Sequence, residues 1–351
     1  MSVQISYKKQ VIFYILLILV VLAAIEMILR VNEQINPRCN FLGNDALDDL
    51  DLEIQKNMCK DYIELEYKKI NGFNVHKENQ YLNTVNINSL GTRGNEISLD
   101  KDLDVTRIII LGGSTVFGDG ASSDENTISG FLKREFEKNG NSNIEIINAG
   151  VGGMDSDGEV MLLTKKYTKL KPDIVVVYDG WNDIRQEKFN KAGGIGLTQE
   201  ILKYYKTPQI VYRTFFSDTK LIQFDFEPKF QDIAVENWLQ NWKNVCNNSQ
   251  RDYKIVVSVQ PLLTSGKQVL SEDEKKFVHN SPFIAHQTYG ISQIAEKVDE
   301  LNGICDKTID LTGTFDNVSE SIFFDYGHMS DKGNQIIAKK IFLEINSMIV
   351  S

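Results

Sequence analysis

Five short apolar runs, separated by segments of helical periodicity, constrain the fold of this 351-residue chain more than any other feature. The third run, Ile174-Val-Val-Val-Tyr178, is a continuous β-branched stretch typical of a strand that is covered on both faces. Strands that alternate with helices predict a parallel sheet with helices on both sides and right-handed crossovers. The five predicted strands span residues 107–111, 144–147, 174–178, 254–259 and 308–311.

Apolar side chains at helical spacing predict the helices that flank this sheet. They recur over residues 128–136 and 159–170 between strands, and over residues 335–349 after the last strand. Ser330 or Asp331 suits the N-cap of the closing helix, because either side chain can accept a hydrogen bond from a backbone N–H of the first turn. The predicted fold class is therefore α/β.

The N-terminus predicts a transmembrane helix. Lys8 and Lys9 precede an apolar run from Val11 to Leu29, which is long enough to cross a bilayer if Glu26 lies near the interface. A cleaved signal peptide is the alternative, but Leu-Ala-Ala at 22–24 is a poor cleavage site. The two lysines favour a cytoplasmic N-terminus over residues 1–10, an anchor over 11–30 and an extracytoplasmic remainder.

Residues 31–103 then form a membrane-proximal segment. Leu47, Leu50, Ile54 and Met58 recur at helical spacing, with Asn44 or Asp45 before them as a candidate cap. The polar stretch that follows, from Lys69 to Asp104, is rich in Asn and Gly and predicts extended, loop-rich structure.

The connection between the third and fourth strands, residues 186–245, is longer than one crossover helix needs. Seven aromatic residues lie between Tyr204 and Phe226. This insertion predicts extra helices that pack on the core, with a lid or a binding wall as the alternative.

Charge and cysteine content exclude some partners and leave one question open. From residue 31 onward the chain has 47 acidic and 35 basic residues, which argues against binding to nucleic acid or to an anionic membrane surface. The four cysteines form no CxxC pattern, so a zinc site is not predicted. Cys39 and Cys59 can close a loop in an oxidising compartment, but four buried thiols are an equal alternative and the pairing stays open.

Three predicted strand-to-helix loops each carry a residue of chemical interest. Ser114, Gly153 and Asn182 follow the first, second and third strands. Because the carboxyl ends of parallel strands meet at one edge of a sheet, and ligands bind there, we expect the three residues to converge. This expectation does not depend on matching a motif.

Asp325 and His328 supply the other groups that a serine acyl hydrolase requires. A serine hydroxyl is a weak nucleophile until a base takes its proton, and His328 is the candidate base for Ser114. Asp325 lies three residues earlier, where a turn lets its carboxylate fix the imidazole tautomer. An isolated Asp-x-x-His is common by chance, and a surface or helix-capping role for His328 is the alternative.

An acyl transition state also needs hydrogen-bond donors for its oxyanion. The candidates are the backbone N–H groups of Ser114 and Gly153 and the side-chain amide of Asn182. Considered alone, the glycine and the asparagine are each more often ordinary turn residues. Their expected convergence with Ser114 favours the oxyanion role.

These residues lie in four blocks that resemble the signature of the SGNH/GDSL hydrolase superfamily. The nucleophile block is Gly112-Gly-Ser-Thr, and the glycine block is residues 148–153, Asn-Ala-Gly-Val-Gly-Gly, with Gly153 as the matching position. The third block is Gly180-Trp-Asn-Asp, and the last is Asp325-Tyr-Gly-His. All four occur in the family order over residues 105–350.

The resemblance implies a flavodoxin-like three-layer α/β/α sandwich with strand order 2-1-3-4-5, in a hydrolase domain over residues 104–351. One departure is Gly113, where many members carry Asp, and it places the substrate in doubt. Residues 88–96 resemble a stretch in membrane-anchored members. Within that stretch Arg93 and Glu96 are as much candidates for structural as for functional roles.

The expected function is that of a membrane-anchored serine esterase that hydrolyses an O-acyl ester, with a small acyl group on a surface glycan as the substrate class that anchored relatives imply. An O-acyltransferase acting on cell-surface polysaccharide is the first alternative. A non-catalytic scaffold at the membrane is the second, and hydrolysis of long-chain lipid or thioester substrates is a third. No cofactor is expected, and the oligomeric state stays open.

Other polar residues near the predicted site receive plainer interpretations. Asp119, Asp155 and Asp157 lie near the active edge without a second histidine, so no metal is expected. Asp183 is expected to hold its turn, and Trp181 either lines the pocket or packs behind it. The remaining histidines are expected at the surface: His76, His279 and His286.

Overall fold

A computed structural model describes residues 6–35, 39, 41–185, 228–278 and 282–349. The chain forms two units, of which one contains helix α1 (Tyr7–Ile35) and the other is built from Cys39–Glu187 and Phe224–Ser351. By length and composition, the stretch Tyr7–Asn32 of α1 can cross a membrane. The aromatic residues between Tyr204 and Phe226, as well as His279, lie outside the described residues.

The membrane-proximal segment contributes a helix and two small hairpins to the second unit. A 3-10 turn at Asp45–Leu47 is capped by the Asn44 side chain, which accepts from the Ala46 N–H, and the α-helix itself begins at Leu52. The elements are α2 (Leu52–Glu64), β1 (Tyr67–Ile70), β2 (Phe73–His76), β3 (Gln80–Tyr81) and β4 (Asn86–Ile87).

The core of the second unit is a five-stranded parallel sheet. The strand that comes first along the chain lies between the second and the third, so the order across the sheet is 2-1-3-4-5. Every pairing between neighbours in this sheet is parallel. The strands are β5 (Thr106–Gly112), β6 (Ile144–Gly150), β7 (Ile174–Asp179), β8 (Lys254–Val259) and β9 (Lys307–Asp310).

Helices cover both faces of this sheet, which confirms the predicted α/β/α sandwich. Among the described residues, the α-helices that follow α2 are α3 (Ser114–Phe117), α4 (Ile128–Lys138), α5 (Ser156–Lys165), α6 (Trp181–Arg185), α7 (Pro228–Cys246), α8 (Glu272–Val278), α9 (Pro282–Lys297) and α10 (Asp331–Ile349).

Alternate strand residues bury against different layers, as the two-residue period of a strand requires. Ile109 and Val175 belong to the apolar cluster that includes residues of α5, α7 and α9. Ile108 and Val176 belong to the opposite cluster, with residues of α4 and α10. The central strands are therefore buried on both faces, which is why they are almost entirely apolar.

The closing helix α10 begins at Asp331, four residues before the predicted range, and neither candidate side chain caps it as predicted. The Ser330 hydroxyl is buried and has no hydrogen-bond partner among the described residues. The Asp331 carboxylate instead accepts from the backbone N–H and the hydroxyl of Ser122. This contact joins the start of α10 to the loop before α4.

All four cysteines are paired. Cys39 is bonded to Cys59 of α2, and Cys246, the last residue of α7, is bonded to Cys305 just before β9. The structure thus has the disulfide that sequence alone left as one of two alternatives. The second pair joins residues 59 positions apart.

Removing each disulfide should destabilise the second unit by an amount set mainly by loop length. The chain-entropy relation gives about 4 kcal/mol for Cys246→Ser with Cys305→Ser and about 3 kcal/mol for Cys39→Ser with Cys59→Ser. Urea unfolding of the full chain in detergent measures both values. With reductant present, the free energy of unfolding of wild type should match that of a protein lacking all four cysteines. A larger loss of stability from removing the Cys39 pair than from removing the Cys246 pair would contradict the expected order.

Candidate active site

Ser114 lies where the first strand of the sheet turns into a helix. Strand β5 ends at Gly112, and Ser114 is the first residue of the four-residue helix α3. Its side chain is at the carboxyl edge of the sheet and is buried except for 6% of its surface. The short helix ends at Phe117 and is followed by Gly118, whose φ of 95° is in the left-handed region.

The structure brings His328 and Asp325 to Ser114. His328 Nε2 lies 2.7 Å from Ser114 Oγ, and His328 Nδ1 lies 2.7 Å from Asp325 Oδ2. The other carboxylate oxygen of Asp325 accepts from the backbone N–H groups of Gly327 and His328, at 2.8 and 2.7 Å. The three side chains form one continuous hydrogen-bonded series across 214 residues of sequence.

The Asp325 carboxylate is held in its charged form by these contacts. Burial alone raises the pKa of Asp325, but the neighbouring His328 ring and the two backbone donors outweigh it and hold that pKa below its ordinary value. An ionised acceptor on Nδ1 favours the tautomer that carries its hydrogen there. Nε2 is then the nitrogen that can accept a proton from Ser114.

Aromatic rings fix the orientation of the His328 imidazole. Trp181 meets it edge-on with ring centroids 5.0 Å apart, and Phe324 stacks on it at 5.7 Å. Trp181 is 1% exposed and its indole N–H donates to Gln287. Of the two roles that the sequence left open for Trp181, the structure supports packing behind the histidine loop.

The two other predicted residues also lie at this edge. Gly153 has φ of +71°, a conformation that favours glycine, and a side chain placed there would meet no atom within 4 Å. The Asn182 side chain is buried, and its Nδ2 donates to the Met154 carbonyl at 2.7 Å. Since each amide has two hydrogens, the second N–H of Asn182 can serve another acceptor.

The departure at Gly113 has a steric reason. A Cβ added to Gly113 would lie 2.2 Å from Asn182 Nδ2, far inside van der Waals contact. The Asn182 amide thus occupies the space that a side chain at position 113 would need. Gly113 and Asn182 are a matched pair, and this pairing places the amide beside Ser114.

Asp119 is a residue that sequence reasoning placed near the edge but gave no role. Its Oδ2 lies 3.8 Å from His328 Nε2, and its backbone N–H donates to the Ser114 carbonyl at 3.0 Å. Burial raises the pKa of the Asp119 carboxyl, against the opposing effect of His328 and Arg93. No local sequence pattern predicts this contact, because Asp119 approaches His328 only through the turn that follows α3.

Arg93 of the membrane-proximal segment supports the loop that carries Ser114. Its guanidinium is buried and donates to Asp124 Oδ1 at 2.8 Å, and to the carbonyls of Phe117 and Gly118 at 3.1 and 2.9 Å. These two carbonyls lie at the end of α3. The role of Arg93 is therefore structural, and Glu96 likewise accepts hydrogen bonds from Ser89 nearby.

Buried acids lie beneath the Asn182 loop. Asp183 accepts from the Ser156 N–H and hydroxyl, so its hydrogen bonds join the 180–183 segment to the start of α5 rather than closing its own turn. Glu159 is 1% exposed, and neither of its carboxylate oxygens has a hydrogen-bond partner among the described residues. Burial, then the charges of neighbouring acids, raise the pKa of Glu159 well above its ordinary value, and burial raises the pKa of Asp179 to about 7.

One expectation about histidines is wrong. His76, expected at the surface, is 2% exposed and stacks on Phe117 with ring centroids 4.2 Å apart, with Tyr67 on its other side. Burial and the charges of Arg93 and Lys166 lower the pKa of His76 to about 3, so it stays neutral. No polar pattern around position 76 signals this, because the packing depends on residues from distant elements.

No protein-family model and no curated protein matches this sequence. Among solved structures, it is similar to a gut microbial diltiazem-metabolizing enzyme at 16% identity and TM-score 0.47, covering 70% of this chain and 48% of that one. An acetyl xylan esterase is similar at 16% identity and TM-score 0.41, covering 68% of this chain and 99% of that one. A lipase/acylhydrolase from Enterococcus faecalis is similar at 14% identity and TM-score 0.42, covering 70% of this chain and 97% of that one.

The buried acids predict a stability that falls as the pH rises. Each raised carboxyl binds its proton more tightly in the folded chain, so stability is full below the unfolded pKa, near 4, and declines toward and beyond pH 7, where Asp179 titrates. Glu159→Gln removes one such group. The melting temperature of this variant should match wild type near pH 4 and exceed it by at least about 2–4 °C near pH 9.

The matched control is Glu64→Gln, which replaces an exposed carboxylate at the end of α2. Its offset from wild type should not change between the two pH values. A constant offset for Glu159→Gln as well would contradict the proposed linkage.

Proposed function

We propose that this chain is a serine hydrolase that cleaves an O-acyl ester through Ser114, His328 and Asp325. The observation that supports it most is the pair of 2.7 Å contacts that connects the hydroxyl to the imidazole and the imidazole to the carboxylate. A nucleophile hydrogen-bonded to a base, with the base oriented by a third group, is what hydroxyl activation requires.

In the first half-reaction, Ser114 Oγ attacks the ester carbonyl while His328 Nε2 takes its proton. The imidazolium that forms is stabilised by the ionised Asp325. Its proton then passes to the departing alcohol oxygen, which leaves an acyl group on Ser114. In the second half-reaction, His328 takes a proton from a water molecule that attacks this acyl group. The bond between the acyl carbon and Ser114 Oγ then breaks, Oγ receives the proton from His328, and the free acid leaves. No cofactor takes part in these steps.

The oxyanion that develops on the carbonyl oxygen needs donors that are already in place. We assign this role to the backbone N–H groups of Ser114 and Gly153 and to the second N–H of Asn182. The positive φ of Gly153 and the open space beside it leave room for substrate to approach the backbone. The hydrogen bond to Met154 keeps the Asn182 amide fixed, so it need not reorganise during reaction.

The proposed substrate class is a small acyl ester, such as acetyl, on a carbohydrate or surface glycan, and it rests on the resemblance to membrane-anchored SGNH/GDSL hydrolases. We further propose that α1 anchors the protein, with Lys8 and Lys9 on the cytoplasmic side. The two disulfides support an oxidising, extracytoplasmic compartment for the second unit, since such bonds are rare in the cytosol.

The test is hydrolysis of a panel of acetyl, butyryl and octanoyl esters by the full chain in detergent, with Ser114→Ala as the control. We expect cleavage of the short-chain esters and a loss of more than about a thousandfold in kcat/KM in the variant. Equal activity of the two proteins would overturn the proposal. Acylated sugar in place of free acid, when a glycan is added, would indicate transfer rather than hydrolysis.

The close approach of Gly113 to the Asn182 amide predicts how substitutions at these two positions should combine. Gly113→Ala must displace the Asn182 amide, so it should lower kcat by about 10²–10³, and Asn182→Ala should do the same because it removes the proposed oxyanion donor. The double variant should be no slower than either single variant, because both changes remove the same interaction. Additive losses would show that position 113 acts independently of Asn182.

A further inference from the structure

We propose that Asp119 selects the alcohol part of the substrate by accepting a hydrogen bond from a hydroxyl on the carbon adjacent to the one that bears the ester oxygen. The preferred substrates are then esters of vicinal diols, such as sugars and other polyols, over esters of simple alcohols. This inference rests on the proposed function, in which His328 delivers a proton to the departing oxygen.

The position of Asp119 follows from that proton transfer. The departing oxygen must come within hydrogen-bond distance of His328 Nε2 to receive its proton. Asp119 Oδ2 is 3.8 Å from the same nitrogen, too far for a hydrogen bond and close enough to border whatever binds there. The two oxygens of a vicinal diol are about as far apart as two hydrogen-bonded oxygens, so one can face Nε2 while its neighbour faces Asp119.

The carboxylate of Asp119 has unused acceptor capacity. Its side chain is 15% exposed, and among the described residues neither of its oxygens accepts a hydrogen bond from a protein donor. The charged or titratable groups around it are His328, Arg93, Asp325 and Tyr67. The Arg93 guanidinium is already engaged with Asp124 and three backbone carbonyls, and it donates no hydrogen bond to Asp119.

The loop that carries Asp119 is held in place relative to the nucleophile. The Asp119 N–H donates to the Ser114 carbonyl, and the Gly118 carbonyl accepts from Arg93 at 2.9 Å. A fixed acceptor discriminates between ligands better than a mobile one, because little ordering is needed when the hydrogen bond forms.

Asp119 also lines a small cleft, together with the rest of the loop 118–121 and with Phe41, Tyr62 and Thr84 of the segment before β5. Asp119 thus borders both the imidazole that protonates the departing oxygen and a partly apolar surface beside it.

The experiment compares two esters that differ by one methyl group, 2-hydroxyethyl acetate and 2-methoxyethyl acetate, with acetate release as the readout. Wild type should favour the hydroxyl compound by about tenfold or more in kcat/KM, as expected for a hydrogen bond to a carboxylate. In Asp119→Ala the ratio should fall close to about one, and Asp119→Asn, which keeps a neutral acceptor, should lie between.

Asp102→Ala is the matched control, since it removes an exposed carboxylate before β5, at the opposite end of the strand from Ser114. Its ester ratio should equal that of wild type. If Asp119 merely stabilised the His328 imidazolium or held the loop, both esters would lose rate equally and the ratio would stay unchanged, which overturns the inference.

The outcomes separate this inference from the proposed function. A wild-type ratio near one, with cleavage that still depends on Ser114, overturns the role of Asp119 and leaves the hydrolase assignment standing. Failure of the wild-type protein to cleave either ester or any member of the acyl panel overturns both.

Discussion

The hydrogen bond between Asp325 and the Nδ1 side of His328 is the interaction on which the rest of the site depends. This hydrogen bond determines which imidazole nitrogen faces Ser114. Asp325 can accept it only because two backbone N–H donors and the imidazole keep the buried carboxylate ionised. The sheet provides the remaining condition. Strand β5 delivers Ser114 to the edge at which the 325–328 loop arrives.

The membrane-proximal segment is part of this site rather than a spacer. Arg93 binds the carbonyls that end α3, and Phe41 packs against Phe324, the ring that stacks on His328. Phe117, at the end of α3, stacks on His76 of β2. The position of the turn that carries Ser114 therefore depends on residues that precede β5 in the sequence as well as on residues that follow it. Truncation near residue 103 would remove the preceding contacts.

Much of this architecture is predictable from sequence, because burial on both faces gives each strand a continuous apolar run. Strand β8 matches its predicted range, whereas β6 continues past Ile147 to Gly150. That extension comes from parallel pairing of Asn148, Ala149 and Gly150 with β5, which side-chain hydrophobicity cannot signal. Helix α5 likewise begins at Ser156, earlier than predicted, because Asp155 caps it.

The candidate site was partly predictable for a related reason. Ser114, Gly153 and Asn182 follow strands, so topology alone places them at one edge, and the last block adds Asp325 and His328. Four features were not predictable: the contact of Asp119 with His328, the hydrogen bonds of Arg93, the burial of His76 and the Cys246–Cys305 pair. Each depends on two segments that come into contact only in the folded chain, so no local sequence pattern indicates it.

We propose that folding activates the Ser114 hydroxyl through His328. Covalent labelling of the full chain with a serine-reactive phosphonate, followed by peptide mapping by mass spectrometry, measures this activation. We expect one dominant adduct on Ser114, which is lost in His328→Ala and in urea-unfolded protein. Absence of that adduct in folded wild type, or equal labelling in the His328 variant, would show that His328 does not activate the hydroxyl.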